Sequence, residues 1–573
     1  MSRYFPCKVL TGEKAFRMIH YLSCNLYYIL GEKMNQHEFC NFAAYKELKR
    51  LSREMNQDHK HLKNLIQDPE RLIEFSIRED GFFYDFSKQR IDRSIFNELI
   101  RLAGEAKAKD KFSSMMSGEI INVTENRAVL HMATRDFSPA PVFLNGTDVK
   151  PEIQRVNEQI KEFVLKIHTK KIKGTTGKAF TDAVVIGIGG SYLGCEFVFT
   201  ALKHSITPQI NLHFLPNVDI DNFGQVIKEI DPETCLWIVI SKSYTTTETM
   251  ANLEQALLFL KNHHLDPAHH LVTVTSKGSP GDDPSNPVLA SFHMFDFIGG
   301  RYSVSSAVGG VPLSLAFGHD VFIRFLKGCH RMDLHALNAP EDKNIPLISA
   351  LISIWNSNFL DYPAQAIIPY CSALSKLAPH IQQLYMESLG KGTTMDGNPI
   401  THQTGVIIFG EPGTNAQHSF FQFAHQGSPF PVEFIGVVNP VYTKAQASSK
   451  GVYNHQELWA NLIAQAQALA VGKDDDDKAK FFSGNRPSST ILINDLTPES
   501  IGMLLSFYEA KTVYEGFVLG VNPFDQFGVE LGKILASDIR NQIRNKNMDT
   551  NYNFDSLNPA VQFYLDTLFK GSL

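Results

Sequence analysis

Short, unbroken apolar runs separated by glycine or polar turns and helix-like segments dominate this chain after residue 180. The runs 183–188, 236–240 and 271–274 are compact and rich in β-branched residues. Continuous apolar strands of this kind fit a parallel sheet covered on both faces. A second set follows at 366–370, 405–409 and 432–438, without sequence repetition, so two α/β domains of similar architecture are predicted. Residues 10 to 110 read differently. They mix Leu, Phe and Ala with Lys and Glu and hold few glycines, which predicts helices. Between Phe163 and Phe180 a Lys-Gly-Thr stretch, 171–177, marks the change of texture.

A length of 573 residues exceeds one ordinary core and agrees with at least two domains. Hydrophobic content of 43% and charged content of 20% describe an ordinary soluble protein. The formal net charge of -6 offers no basic face for nucleic acid. No run of about 18 apolar residues predicts a membrane span. Glu13 and Lys14 interrupt the N-terminus before a signal-peptide core can form, so a cytoplasmic protein is expected. Seven scattered cysteines without a Cys-x-x-Cys pair point to reduced thiols and against zinc; Cys195, beside a glycine turn, is read as a small buried hydrophobe. The run Lys473 to Lys478, with four consecutive aspartates, reads as a solvated surface loop.

The chemistry concentrates in a few segments. Gly189-Gly190-Ser191 follows the first strand, where a turn exposes backbone N–H groups at a helix start. Tyr192 stands where a dinucleotide fingerprint needs glycine, and Cys195-Glu196 replace the Lys-Ser/Thr of a P-loop. Ser241-Lys242-Ser243-Tyr244-Thr245-Thr246-Thr247 places six hydroxyls and an ammonium after the next strand. Thr245 and Glu248 have capping-box spacing, but one cap leaves the other hydroxyls unexplained. A phosphate accepts many hydrogen bonds, and ligands in parallel sheets sit beyond the carboxyl ends of strands. A phosphomonoester cradle is therefore expected at Ser191 and Ser241 to Thr246. Arg301 follows two glycines, Glu387 lies among Gln383, Met386 and Leu389, and Gln526 and Lys533 lie near the C-terminus. Finally, 410–418 combines a Pro412-Gly413 turn with Glu411, Asn415, Gln417 and His418, which predicts a fixed edge ending in an imidazole.

These segments, in this order from Gly118-Glu119-Ile120-Ile121-Asn122 to Lys533, resemble the phosphoglucose isomerase family. The resemblance implies two sugar-isomerase domains, each a parallel sheet flanked by helices. The expected organisation is a helical N-terminal region over 1–149 packing on the large domain, a first, small domain over 150–315, a second, large domain over 316–540 and a helical tail over 541–573. It also implies aldose–ketose isomerisation of a hexose phosphate without metal or cofactor. Gly190, Ser191, Ser241, Lys242, Ser243, Tyr244, Thr245 and Thr246 would bind the phosphate, with Gln526 near it and Gln383 lining the site. Glu387, His418, Lys533 and Arg301 would be catalytic, with Arg301 near the substrate and His418 supplied by the partner subunit of a homodimer. Ser243 and Tyr244 stand where Thr and Phe are usual, and Leu389, Ala416 and Phe527 replace Asn, Gly and Trp. A mannose 6-phosphate side activity and a non-catalytic sugar-phosphate sensor are the rival readings; the sensor would lack the acid–base set present here.

Overall fold

The computed structural model describes residues 38–443 and 447–573; Cys7, Cys24 and the predicted helical stretch up to residue 37 lie outside them. Within the region expected to be helical, β1 (Ser76–Glu79) and β2 (Phe82–Asp85) form an antiparallel hairpin. Its two-residue connection, Asp80-Gly81, has φ values of 41° and 82°. Asp-Gly between apolar runs is a strong short-range hairpin signal, because both positions need positive φ. The helical reading of this stretch is therefore corrected by its own turn chemistry.

A five-stranded sheet holds β3 (Asp182–Ile186), β4 (Asn211–Leu215), β5 (Cys235–Ile240), β6 (Leu271–Ser276) and β7 (Ala290–Met294). The spatial order is β4-β3-β5-β6-β7, and every pairing is parallel. All six residues of β5 are buried, as its continuous apolar run requires. The chain leaves β3 to one side and returns on the other, so the order reverses between β3 and β5. A crevice opens beyond the strand ends at such a switch point.

The six-stranded sheet adds β8 (Ala364–Tyr370), β9 (Ile407–Phe409), β10 (Val432–Val437) and β11 (Ser488–Ile493) in the order β1-β2-β11-β10-β8-β9. Its last four strands are parallel, and the early hairpin closes the edge antiparallel to β11. Two parallel sheets flanked by helices are thus present, as the apolar runs predicted.

Six helices matter for the site: α1 (Leu193–Leu202), α2 (Thr247–Asn262), α3 (His319–Asn338), α4 (Pro498–Leu519), α5 (Glu530–Met548) and α6 (Pro559–Lys570). Cys195 is buried on α1, as expected. Helix α4 is buried from Ile501 to Leu519. It starts with Thr497 as N-cap, Ser500 returning the hydrogen bond and Pro498 in the first turn, and it stops at Gly520 in the left-handed region. Arg135 ties α3 to α4, with Nε 2.7 Å from Asp333 and Nη2 2.6 Å from Glu509, all three buried. Helix α5 buries no residue within the chain. Among the described residues, no helix is long and apolar enough to cross a membrane. The Asp474–Asp477 run is largely exposed, as predicted.

Helices α3 and α4 approach closely because glycines meet backbone at their crossing. A Cβ on Gly328 would stand 1.9 Å from the Glu499 carbonyl oxygen, and one on Gly502 would stand 2.1 Å from that of Phe325. Gly328→Ala is expected to lower stability by about 1–3 kcal/mol, as overpacking does. An unchanged urea midpoint would contradict backbone-limited packing here.

Candidate active site

The crevice at the ends of β3 and β5 is built from two turns. After β3 the chain passes through Gly189–Ser191 into α1, with Gly189 at φ +59°. Gly190 lies directly on the 300 loop: a Cβ there would fall 2.2 Å from the Gly300 carbonyl carbon and 2.7 Å from the Arg301 nitrogen. Only glycine permits that approach. After β5 the expected capping box at Thr245 and Glu248 does not form. Helix α2 begins at Thr247 with Thr246 as N-cap, and Thr246 makes no side-chain cap. The first-turn amides therefore remain available to an anion.

Ser191, Ser241, Lys242, Ser243 and Thr246 line one cavity of about 580 Å³, together with Thr249, Arg127 and Lys277. Lys242 donates to the Asp296 carbonyl at 2.9 Å. Burial lowers its ammonium pKa, Asp296 opposes that and Arg127 adds to it. Thr245 and Tyr244 shape the loop instead of lining it. The hydroxyls of Ser243 and Thr245 are 2.7 Å apart. Tyr244, at φ +54°, lays its ring where a Gly281 side chain would be, and burial pushes its phenol to about 12.

Glu387 lies in a separate cavity of about 700 Å³, lined by Gln383, Glu387, Lys391, Asp525, Gln526 and neighbours. The Gly189 turn adjoins it, since a Cβ on Gly189 would come 3.0 Å from Gln383 Nε2. Beneath Glu387 sits Arg301, 2% exposed. Its Nε donates to Ser388 Oγ at 2.6 Å. Nη1 donates to Gln526 Oε1 at 3.0 Å and to Glu387 Oε2 at 3.4 Å. Nη2 donates to the carbonyls of Pro523 at 2.7 Å and Asp525 at 3.0 Å. All five guanidinium donors are thus engaged. Arg301, expected near the substrate, is not among the lining residues and reaches Glu387 from beneath. Gln526, expected near the phosphate, accepts from Arg301 and lines the Glu387 cavity. Gln383 donates to the same Glu387 oxygen at 3.2 Å.

Glu387 begins a short helix after a π-turn over Gln382–Met386. Such turns cluster at functional sites because they re-aim side chains. Here the turn has a buried anchor. Tyr385 Oη donates to Glu515 Oε1 at 2.5 Å, and Ser353 Oγ donates to the same atom at 3.0 Å. Burial raises the Glu515 pKa to about 7, against the opposing influence of Lys511, Tyr385 and Ser353. Leu389 is buried with its Cβ against Gly405, so Ser388, not residue 389, completes the contact to Arg301.

Sequence reasoning missed Lys391, Asp525, Thr124 and Arg127. Lys391 donates to Asp525 Oδ1 at 2.6 Å, and Thr124 Oγ1 donates to Asp525 Oδ2 at 2.5 Å. The Asp525-bearing segment was read only for its amide and its lysine; the contact partners come from residues hundreds of positions away. His418 and Lys533 are exposed and are not among the residues lining the Glu387 cavity. Val529 lines it, and Lys533 follows about one helical turn later. His418 ends a short turn over Asn415–His418, after Gly413, where a Cβ would strike the Tyr370 ring at 2.6 Å.

Residues 85–559 match the family model described as phosphoglucose isomerase. The chain belongs to the phosphoglucose isomerase family. It is 59% identical to the glucose-6-phosphate isomerase of Desulfosudis oleivorans, over 94% of this chain and 100% of that protein. It is 43% identical to the cytosolic glucose-6-phosphate isomerase of Arabidopsis thaliana, over 88% of this chain and 93% of the relative. A solved glucose-6-phosphate isomerase from Chlamydia trachomatis superposes with a TM-score of 0.84 at 37% identity, covering 93% of this chain and 99% of that one.

Glu515 gives the anchor of the π-turn a pH signature. Its folded-state pKa of about 7 lies above the ordinary glutamate value of about 4.3. Its contribution is therefore fully favourable below about pH 4.3 and is lost as the pH rises through about 7. Glu515→Gln keeps the acceptor and removes the titration. It is expected to exceed the parent's stability at pH 8 by about 3–4 kcal/mol, with the gap falling to about 1 kcal/mol by about pH 5. Urea unfolding at the two pH values checks this, and a gap of equal size at both would contradict a titrating anchor.

Proposed function

We propose that Glu387 is the single base with which this phosphoglucose isomerase moves a proton between C2 and C1 of an opened hexose phosphate. The reaction is the reversible interconversion of D-glucose 6-phosphate and D-fructose 6-phosphate, a step of glycolysis and gluconeogenesis. The observation that carries the assignment is the Glu387 carboxylate, 23% exposed, held between Arg301 Nη1 and Gln383 Nε2 beside a cavity. The second oxygen is engaged by neither contact, which leaves it to accept a proton.

In this reading the phosphate binds among Ser191, Ser241, Ser243 and Thr246 at the start of α2, next to the Gly190 turn. That binding orients the sugar, and its energy is available away from the reacting carbons. His418 and Lys533 open the ring, one protonating the ring oxygen and the other accepting the hydroxyl proton. Glu387 then takes the proton from C2 and returns it to C1 on the same face, through a cis-enediol or enediolate. The buried charge of Arg301 stabilises the negative charge that develops above the floor, through a preplaced field that costs no reorganisation. Gln383 and Gln526 supply amides at the same level.

The exposed positions of His418 and Lys533 support a homodimer in which His418 is delivered across the interface. Helix α5 carries Leu531, Ile534 and Leu535 on one face, 66%, 61% and 54% exposed, and α6 exposes Phe563, Tyr564 and Leu568. Such an apolar stripe is the face a helix buries against a partner. A cytoplasmic site of action is supported by the cytosolic plant relative, and cell fractionation should leave the protein in the soluble fraction.

Glu387→Gln is expected to lower kcat by about a thousandfold while the inhibition constant of inorganic phosphate stays within about twofold. Mixing this variant with His418→Ala after dissociation and reassociation should restore activity, because one composite site regains both groups. Retained turnover in Glu387→Gln would remove it from the base role. No recovery on mixing would remove His418 from the partner's site.

A further inference from the structure

We propose that Arg127 is a ligand of the substrate phosphate and gives the cradle its preference for a dianionic terminus. The proposal rests on the cradle reading above and extends it to a residue from another part of the chain. Arg127 lines the cavity that holds Ser191, Ser241, Ser243 and Thr246. Among the described residues, its guanidinium makes no hydrogen bond or ion pair; its only bonds are through its backbone. The acids close to it are engaged elsewhere. Glu125 accepts from Asn122 Nδ2 at 2.7 Å, and Asp296, 82% exposed, lies 3.6 Å from Lys242.

Three cations, Arg127, Lys242 and Lys277, therefore line one cavity with a single lining carboxylate, Asp296. Arg127 is near enough to Lys242 to help hold its pKa down, after burial. Asp296 offsets Lys242, so the excess positive charge of the lining amounts to Arg127 and Lys277, which an anion of two negative charges balances. Serine and threonine hydroxyls bind phosphate oxygens of either charge state. A guanidinium adds a planar fork of charge-assisted bonds, which favours the dianion.

The second observation is how firmly this arginine is placed. Arg127 and Asn122 exchange backbone hydrogen bonds at 3.1 Å in both directions. Asn122 is 4% exposed, and its Oδ1 accepts from Asn522 Nδ2 at 2.8 Å. Asn522 in turn donates to Asp525 Oδ2 at 3.0 Å, and the Asp525 carbonyl accepts from Arg301. A chain of buried hydrogen bonds thus runs from Arg301, under Glu387, to the backbone of a side chain that has no partner of its own. Buried networks of this kind hold an element in one place. The network thus fixes the backbone of Arg127 beside the cradle, and the exposed side chain reaches from there into the cavity lining.

The test compares Arg127→Ala, Arg127→Lys and Thr246→Ala, using inorganic phosphate as a competitive inhibitor and fructose 6-phosphate as substrate. Arg127→Ala is expected to raise the phosphate inhibition constant and the KM about tenfold or more, with kcat changed less than about threefold. Arg127→Lys should recover part of the loss, since it restores charge but not the fork. For the parent, KM should fall as the pH rises through the phosphate's second ionisation, near about pH 6, and this dependence should flatten in Arg127→Ala. If Thr246→Ala weakens phosphate binding and Arg127→Ala does not, the proposal falls and the cradle stands. If neither does, the cradle reading falls with it. A loss of kcat at unchanged KM and inhibition constant would also overturn the proposal. The melting temperature of each variant identifies any effect due to misfolding, and Arg127→Gln replaces a variant that melts early.

Discussion

A buried guanidinium must find an acceptor for every donor, because desolvating an unpaired charge costs several kcal/mol. Arg301 meets this demand with five contacts drawn from two distant segments: Glu387 and Ser388 in one, and Gln526 with the carbonyls of Pro523 and Asp525 in the other. No partial solution is comparably favourable, so the 300 loop, the end of the π-turn and the 523–526 turn are forced into one register. That register places the Glu387 carboxylate on the floor of a cavity. The glycines ahead of Arg301 matter for the same reason, since Gly300 and Gly190 touch backbone to backbone. The turn after β3 is thereby locked to the arginine, and with it the edge of the phosphate cradle.

Two kinds of anchoring thus divide the work. The cradle uses the general property of a strand-end crevice: free amides at a helix start, hydroxyls after a buried strand, and a cationic wall. It lies in the five-stranded sheet. The floor with Glu387 depends on side chains buried behind the six-stranded sheet, where Tyr385, Ser353 and Glu515 hold the π-turn from below. On the proposed reading, substrate charge and proton transfer fall to different parts of the chain, and Arg301 with its neighbours joins them. The Asp525 network carries this coupling further, to Lys391 and to the loop that bears Arg127.

Much of this was legible in the sequence wherever the signal is local. Continuous apolar runs gave β3, β5, β6, β8 and β10 because buried parallel strands need no alternation. The Gly189 turn and the hydroxyls from Ser241 to Thr246 were readable because both follow such strands. Strands β4, β7 and β11 were missed; each mixes polar residues, such as His213, His293 and Ser488, into a short run. The β1–β2 hairpin carried an Asp-Gly turn that outweighs the surrounding helical texture. The cap of α2 falls one residue later than the Thr245–Glu248 spacing implied, because the Thr245 hydroxyl pairs with that of Ser243. Arg301 as a residue of the site was legible; its place beneath the floor was not, since its five acceptors lie 86 to 225 positions away. The same holds for Arg127, Lys391 and Asp525, whose roles exist only as contacts between segments. His418 and Lys533 belong to surfaces that one chain leaves open.

The geometry of the Arg301 guanidinium, and not its charge alone, sets the position of the proposed base. Arg301→Lys keeps the charge but offers three donors in place of five. The steady-state kcat of this variant with fructose 6-phosphate is the most direct test, read beside its inhibition by inorganic phosphate. The account predicts a loss of about a hundredfold or more in kcat with phosphate inhibition little changed. A variant that folds and turns over at close to the parental rate would contradict it.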